Sequence, residues 1–197
     1  MSVVDFKAMA TDPNSTYLKL TYEDYLSMPD DGRRHELVDG EHYMTPSPSS
    51  RHQGVLGYLH LGIGSFLRKN NVGKLYLAPL DVILSQFDVV QPDLLFISTA
   101  RLGILSDGYV RGAPDLVVEI LSPSSMRHDA IRKRHLYEKF GVGEFWLIDP
   151  ERDEIEVFLL SDGTLKKQLE LTLEQKDVLT SPLFPGLRIP LADILEP

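Results

Sequence analysis

Two carboxylates stand where hydrophobicity alone does not explain them. Asp93 follows Pro92 and precedes Leu94-Leu95-Phe96-Ile97, and Glu119 lies inside Leu116-Val117-Val118-Glu119-Ile120-Leu121. Both runs are short and rich in Val, Ile and Phe, the pattern of strands in a covered sheet. An ionised carboxylate there is costly unless a partner neutralises it. Two of them converging from neighbouring strands would form an oxygen-donor site for a divalent cation, which points to hydrolytic chemistry. Along one strand, residues two apart share a face and rise about 3.3 Å each, so Asp115 lies about 13 Å from Glu119. That is too far to share one cation. Asp115 is therefore expected in a turn at the strand entrance, and Asp93 is expected to meet Glu119 across the sheet.

The elements that must position this pair follow from periodicity and turn chemistry. Thr21–Leu26 reads as a short capped helix with an acidic first turn, ending near Pro29. His35–Val38 and Glu41–Met44 flank Asp39-Gly40, a two-residue hairpin signal. A Pro/Ser loop over Ser47–Ser50 precedes a helix from about Ser50 to Arg68, with Val55, Leu59, Ile63, Phe66 and Leu67 at helical spacing. Strands are expected at Lys74–Leu77, Asp81–Leu84 and Val89–Ile97, the last interrupted by Pro92 as a bulge or an edge. Ala113-Pro114 opens a strand over Asp115–Leu121, and Ser122–Ser125 stops it. A helix follows over Asp129–Phe140, with Gly141 as its C-cap, and Phe145–Ile148 returns as a strand. That order predicts a right-handed crossover and a parallel strand pair within a mixed sheet. Ile155–Leu160 and Leu165–Leu171 form a closing hairpin around Asp162-Gly163, and the tail from Ser181 is expected as irregular cover. The fold class is α/β, a mixed sheet flanked by helices with hairpins at both ends. Residues 1–18 are expected as a loose arm and 19–197 as one domain.

Lys133 shares a helical stripe with Ala130, Tyr137 and Phe140, as the charged member of an otherwise apolar face. Its ammonium could reach over the strand end to the carboxylates, or its stem could simply cover the core. Tyr137 could hydrogen-bond near Lys133 or only pack. His52, at the start of the long helix, could cap it, contact a phosphate or take part in catalysis, and is left outside the cation's ligands. The other histidines lack paired metal spacing, and Trp146 reads as core.

Bulk properties limit the function classes. The chain has 197 residues, 43% of them hydrophobic, and a formal net charge of -9, so any nucleic-acid surface must be local. With no cysteine, disulfides, thiolate zinc and cysteine nucleophiles are excluded. Neither a signal peptide nor an apolar span of membrane length is read, and a cytoplasmic location is expected.

Pro-Asp on one strand with an acid on the next resembles the signature of the PD-(D/E)xK nuclease superfamily. That pattern places a lysine two residues after the second acid. Here the position holds Leu121, and Lys133 would stand in for it from the following helix. Over a wider span, Leu20 to Pro150, the chain resembles the Uma family of bacterial restriction endonuclease domains. HELVDGE, PSPSSRHQGV, VVQPDLLFI, APDLVVEILSPSS and RHDAIRKRHLYEKFGVGEFWLIDP carry this likeness.

The resemblance implies a restriction-endonuclease-like fold, a Mg²⁺ or Mn²⁺ requirement, homodimers and a DNA substrate cut to a 5′-phosphate. By the same resemblance Glu36, Asp93, Glu119 and Lys133 occupy the active-site positions. Asp93, Glu119 and the backbone carbonyl of Ile120 would hold the cation, and Glu36 would complete the set, bind through water or support a second ion. Arg127, Arg132, Arg134 and Lys139 around the Lys133 helix are expected to meet the phosphate backbone, with Arg33, Arg34 and Arg51 joining from the front. The Ser122–Ser125 loop before a helix start would favour phosphate.

Duller readings compete with these roles: Asp93 could organise a bulge, and Glu36 could form a surface pair with Arg33 or Arg34. For the whole chain, the alternatives are a nuclease of RNA or branched DNA, a nuclease fold without turnover that binds nucleic acid or a protein, and a purely structural subunit.

Overall fold

The computed structural model describes residues 18–45, 47–122 and 127–196. The expected N-terminal arm up to residue 17, and all of the Ser122–Ser125 stop except Ser122, lie outside the described residues.

The chain begins with α1 (Tyr22–Leu26), closed by the capping box read from Thr21: Asp24 Oδ2 accepts the Thr21 N–H at 2.8 Å, and Thr21 Oγ1 accepts the Asp24 N–H at 3.3 Å. The first hairpin joins β1 (Arg34–Val38) to β2 (Glu41–Thr45), with Asp39 at φ +52° and Gly40 at φ +77°. Two successive positive φ values are what a tight right-twisted hairpin turn demands. Helix α2 (Ser50–Leu67) follows, its N-cap Ser49 accepting from the His52 N–H. Then come β3 (Gly73–Leu77), β4 (Asp81–Ser85), β5 (Asp88–Val90) and β6 (Leu94–Ser98). A 3₁₀ turn over Thr99–Ile104 leads to β7 (Leu105–Ser106) and β8 (Tyr109–Arg111), small elements that periodicity could not reveal. The rest is β9 (Leu116–Ile120), α3 (Arg127–Phe140), β10 (Glu144–Asp149), β11 (Glu154–Ser161), β12 (Thr164–Thr172), β13 (Val178–Leu179), β14 (Ile189–Pro190) and α4 (Ala192–Leu195).

The strands form two six-stranded mixed sheets, ordered β2-β1-β5-β4-β8-β7 and β12-β11-β10-β9-β6-β3, and a small β13-β14 pair. The expected parallel crossover is present, with β9 and β10 parallel across α3. The run Val89–Ile97, expected as one strand with a bulge or an edge at Pro92, is divided: β5 belongs to the first sheet and β6 to the second. Proline has no N–H to donate to a ladder, so the chain leaves one sheet at Pro92 and enters the next after Asp93. The tail also differs from the irregular cover expected, because it contributes the β13-β14 pair and α4.

The second sheet is covered on both faces, as its near-continuous apolar strands require. Leu94, Phe96, Leu116, Val118 and Ile120 pack against Val55, Leu59 and Ile63 of α2 and against the tail. Leu95, Ile97, Val117 and Phe145 pack on the other side with Ala130, Leu136 and Tyr137 of α3 and with Val38, Val82 and Val90 of the first sheet. Strand alternation therefore points Glu119 to the α3 side together with Val117. Among the described residues no helix is long and apolar enough to cross a membrane.

Candidate active site

The seam between the two sheets gathers polar side chains from five elements. On β1, Arg34 and Glu36 are two residues apart and share a face. Asp93 sits at the crossing from β5 to β6. The antiparallel register pairs Leu94 with Val118, so one step further Asp93 lies opposite Glu119. From the helices come His52, in the first turn of α2, and Lys133 with Tyr137 on the buried stripe of α3. Glu36, His52, Asp93, Glu119 and Lys133 are all buried.

Their contacts divide into two linked groups. Lys133 Nζ bridges the sheets, 2.9 Å from Glu36 of the first and 3.2 Å from Glu119 Oε1 of the second. Tyr137 Oη donates to Glu119 Oε1 at 2.5 Å, and the Gln91 backbone N–H donates to Glu36 Oε1 at 2.8 Å. Around Asp93, Arg34 Nη1 donates to Oδ1 at 3.0 Å, while Oδ2 accepts the Ile120 N–H at 2.9 Å and lies 3.0 Å from His52 Nε2. A carboxylate can only accept, so His52 carries its hydrogen on Nε2. Its Nδ1 is buried and has no partner among the described residues.

Electrostatically the two central acids diverge. Burial pushes Asp93 up, but the His52 hydrogen bond and charge, the Ile120 N–H and Arg34 outweigh it and hold the group below the ordinary carboxylate value. Burial dominates at Glu119 and, with the negative charges of Asp93 and Glu36, raises it to about 7 against the attraction of Lys133 and the Tyr137 hydrogen bond. Lys133 moves upward, because the attraction of Glu119 and Glu36 exceeds the penalty of its own burial. Three carboxylates, Glu36, Asp93 and Glu119, share the permanent cations Arg34 and Lys133, and between Asp93 and Glu119 it is Glu119 that is raised above its ordinary value. A pair of acids driven apart in this way is a feature of functional sites.

The family comparison covers residues 22–192, which match the model of the Uma2 family, described as "Putative restriction endonuclease". The chain belongs to the Uma2 family. The fold of this Uma2 chain is similar to the crystal structure of "a putative nuclease belonging to DUF820" from Anabaena variabilis, with a TM-score of 0.76 at 20% identity over 90% of this chain and 98% of that one. A search of curated proteins finds no match.

All four site residues expected from the Uma resemblance lie in one cluster. Glu36 is buried against Lys133 and the Gln91 amide, not on the surface with Arg33 or Arg34. Ile120 lines the cavity and gives its N–H to Asp93. Asp115 does hold a turn, accepting the Ser98 N–H at 2.7 Å and pairing with Arg101. Two further side chains complete the cluster, and both reach Asp93: Arg34, expected at the phosphate backbone or beside Glu36, and His52, for which capping, phosphate contact and catalysis stand open. Both carried a signal. Arg34 shares the Glu36 face, and His52 continues the buried α2 stripe of Val55, Leu59 and Ile63.

The cluster borders a cavity of about 40 Å³ that touches Arg34, His52, Gln91, Asp93, Glu119 and Lys133. A water-sized probe needs roughly 10–15 Å³, so the cavity accommodates an ion with a water or two and no nucleotide. Among the described residues no three His, Asp or Glu side chains converge as a ready metal cage. Magnesium needs none, since it binds through one or two carboxylates and keeps much of its water. The two oxygen-donor acids on the cavity wall, Asp93 and Glu119, fit such an ion.

Proposed function

We propose that this Uma2 chain is a divalent-cation-dependent endonuclease that hydrolyses DNA phosphodiester bonds at the seam between its two sheets. One observation carries the reading: buried carboxylates from both sheets share a single lysine beside an ion-sized cavity. Asp93, Glu119 and the Ile120 carbonyl would hold Mg²⁺ or Mn²⁺, with Glu36 completing the set directly or through water. When bound, the cation supplies Lewis-acid polarisation of the phosphodiester and lowers the pKa of the attacking water.

The chain's own groups do the positioning. Lys133, fixed between Glu36 and Glu119, presents a permanent positive charge to orient the nucleophile or to offset charge growing on the phosphate. Arg34 and His52 hold Asp93 ionised and in one orientation, as groups behind a ligand commonly do. Tyr137, one turn along α3 from Lys133, fixes Glu119 by donating to Oε1. Such preorganised charge on buried side chains acts more strongly than the same groups in solvent.

The test is nicking of supercoiled and single-stranded DNA with Mg²⁺, Mn²⁺ or EDTA, comparing wild type with Asp93→Asn and Glu119→Gln. Cation-dependent cleavage lost in both variants supports the reading; a nicking rate unchanged in Glu119→Gln sinks it. One observation favours a second reading, a fold that binds DNA without turnover: both oxygens of Asp93 already have protein donors. That reading expects binding that survives Glu119→Gln and no cation-dependent product. Following the resemblance, we also place the protein in the cytoplasm as a homodimer, and sedimentation showing only monomer at micromolar concentration would remove the dimer.

A further inference from the structure

A second opening adjoins the acid cavity. It has a volume of about 280 Å³ and runs between the first hairpin and the start of α2. Arg34, His52 and Asp93 line both spaces, so the two adjoin, and the second adds Arg33, Ser47 and Gln53 to its walls. We propose that this cleft is a phosphate subsite, which receives a phosphodiester of the DNA strand next to the one positioned at the acids. The inference rests on the nuclease reading above and adds to it the face on which the strand lies.

Two independent features support this face. The first is charge in graded exposure: the Arg34 side chain is 19% exposed and tied to Asp93, whereas Arg33 is 63% exposed. Arg33 holds Asp31 only at 3.8 Å and the Met44 sulfur at 3.9 Å. A guanidinium so loosely engaged keeps its donor fork available for a phosphate, the anion it matches best. The second feature is His52, 4% exposed, with Nδ1 lacking a partner among the described residues. A buried polar atom left so is expensive unless a water or a ligand completes it. A water at Nδ1 can complete it and bridge to a phosphate oxygen.

The competing basic residues, those of α3, do not line the cleft. Arg132 pairs with Asp129 and lies 3.5 Å over the Tyr43 ring, Arg134 lies 4.9 Å over Phe158, and Lys139, nearly as exposed as Arg33, is 3.7 Å from Asp88. The Arg127 side chain lies outside the described residues.

The deciding experiment is fluorescence anisotropy with a short labelled single-stranded DNA and its duplex, in EDTA, across a range of KCl concentrations. Wild type is compared with Arg33→Ala, Arg33→Glu, Arg134→Ala and Lys139→Ala, after confirming unchanged thermal unfolding. Loss of one phosphate contact should weaken Arg33→Ala by about tenfold and lower its salt slope by about one, with Arg33→Glu weaker still. The two α3 variants should stay within about twofold of wild type, the size expected of cations already engaged at the surface. Arg33 variants that bind like wild type, α3 variants that lose as much, or a wild type without DNA affinity would each overturn the subsite. EDTA keeps this measurement separate from turnover. A protein that cleaves in a Glu119-dependent way but is indifferent to Arg33 loses the subsite alone, and one that needs Arg33 to bind but never cleaves loses the nuclease reading.

Discussion

Glu119 and Glu144 sit on adjacent parallel strands of one sheet, both buried, and both are shifted upward chiefly by burial. Their surroundings separate them. Glu144, at the start of β10, accepts from Trp146 Nε1 at 2.7 Å and from Ser181 Oγ at 2.8 Å, neutral donors that tie the tail to the sheet. Glu119, at the far end of β9, meets a lysine and two further acids beside a cavity. In open α/β sheets ligands bind beyond the carboxyl ends of strands, which is where Glu119 lies and Glu144 does not. Burial of a carboxylate is thus no sign of function by itself. Charged neighbours and adjoining space make the difference.

The largest expected effect follows directly. Glu119→Gln and Asp93→Asn should each lower cation-dependent DNA cleavage by about a thousandfold, the scale of removing one preorganised charged group from a reacting site. Glu144→Gln should leave the rate unchanged. A Glu144 variant as impaired as Glu119→Gln in the nicking assay would erase the distinction between the two acids.

Next is the lysine. Lys133→Met leaves Glu36 and Glu119 buried without their shared cation, and breaking a buried pair in this way costs about 3–5 kcal/mol. Urea unfolding in EDTA at neutral pH measures it. A loss under about 1 kcal/mol, the worth of an exposed pair, would mean that Lys133 only covers the core with its stem.

Lys133 also marks how much of this arrangement is legible in the sequence. Its place on the Ala130-Tyr137-Phe140 stripe gave its direction, because local periodicity fixes which side of a helix is buried. Asp93 and Glu119 were legible because carboxylates in apolar runs are costly. The division of Val89–Ile97 between two sheets was not, since Pro92 signals a break in a ladder without saying where the chain goes next. Arg34 and His52 reach Asp93 across sequence separations of 59 and 41 residues. Only the assembled fold sets such contacts, although strand alternation from Glu36 and the α2 stripe already aimed both side chains inward. The elements over residues 99–111 and 178–195 are too short for period to show, and tertiary packing alone defines them.

The third prediction concerns pH. Glu119 titrates near 7 in the fold against an ordinary value near 4.5, so between these pH values the folded protein keeps a proton that the unfolded chain has released. Its contribution to stability is therefore complete below about 4.5 and lost as pH rises through about 7. The loss is on the order of 3 kcal/mol. Asp93, held low, acts in the opposite sense and contributes above the ordinary carboxylate range, fading only in acid. In EDTA, the difference in unfolding free energy between wild type and Glu119→Gln should widen from pH 5 to pH 8, other groups cancelling in the comparison. Mg²⁺ at pH 8 should stabilise wild type and not the variant, because an ion that binds only the folded state shifts the equilibrium by mass action. Parallel pH curves for the two proteins would contradict the upward shift assigned to Glu119.

The smallest effect sharpens the contrast from the other acid. Ser181→Ala removes the hydroxyl that donates to Glu144 Oε2 and accepts the Leu183 N–H at 3.0 Å, leaving a buried carboxylate oxygen short of a donor. The cost should be about 1–2 kcal/mol. A carboxylate that loses a donor holds its proton more firmly, so Glu144 should move further upward, and the deficit should be larger at pH 8 than at pH 5. Both acids then make the fold less stable with rising pH, but for separable reasons. At Glu119 a divalent cation should restore what deprotonation removes. At Glu144, surrounded by neutral donors and distant from the seam, the Ser181→Ala deficit measured by urea unfolding should be the same in Mg²⁺ and in EDTA. A cation that rescued it would show that the ion acts through general screening and not through the cluster around Lys133.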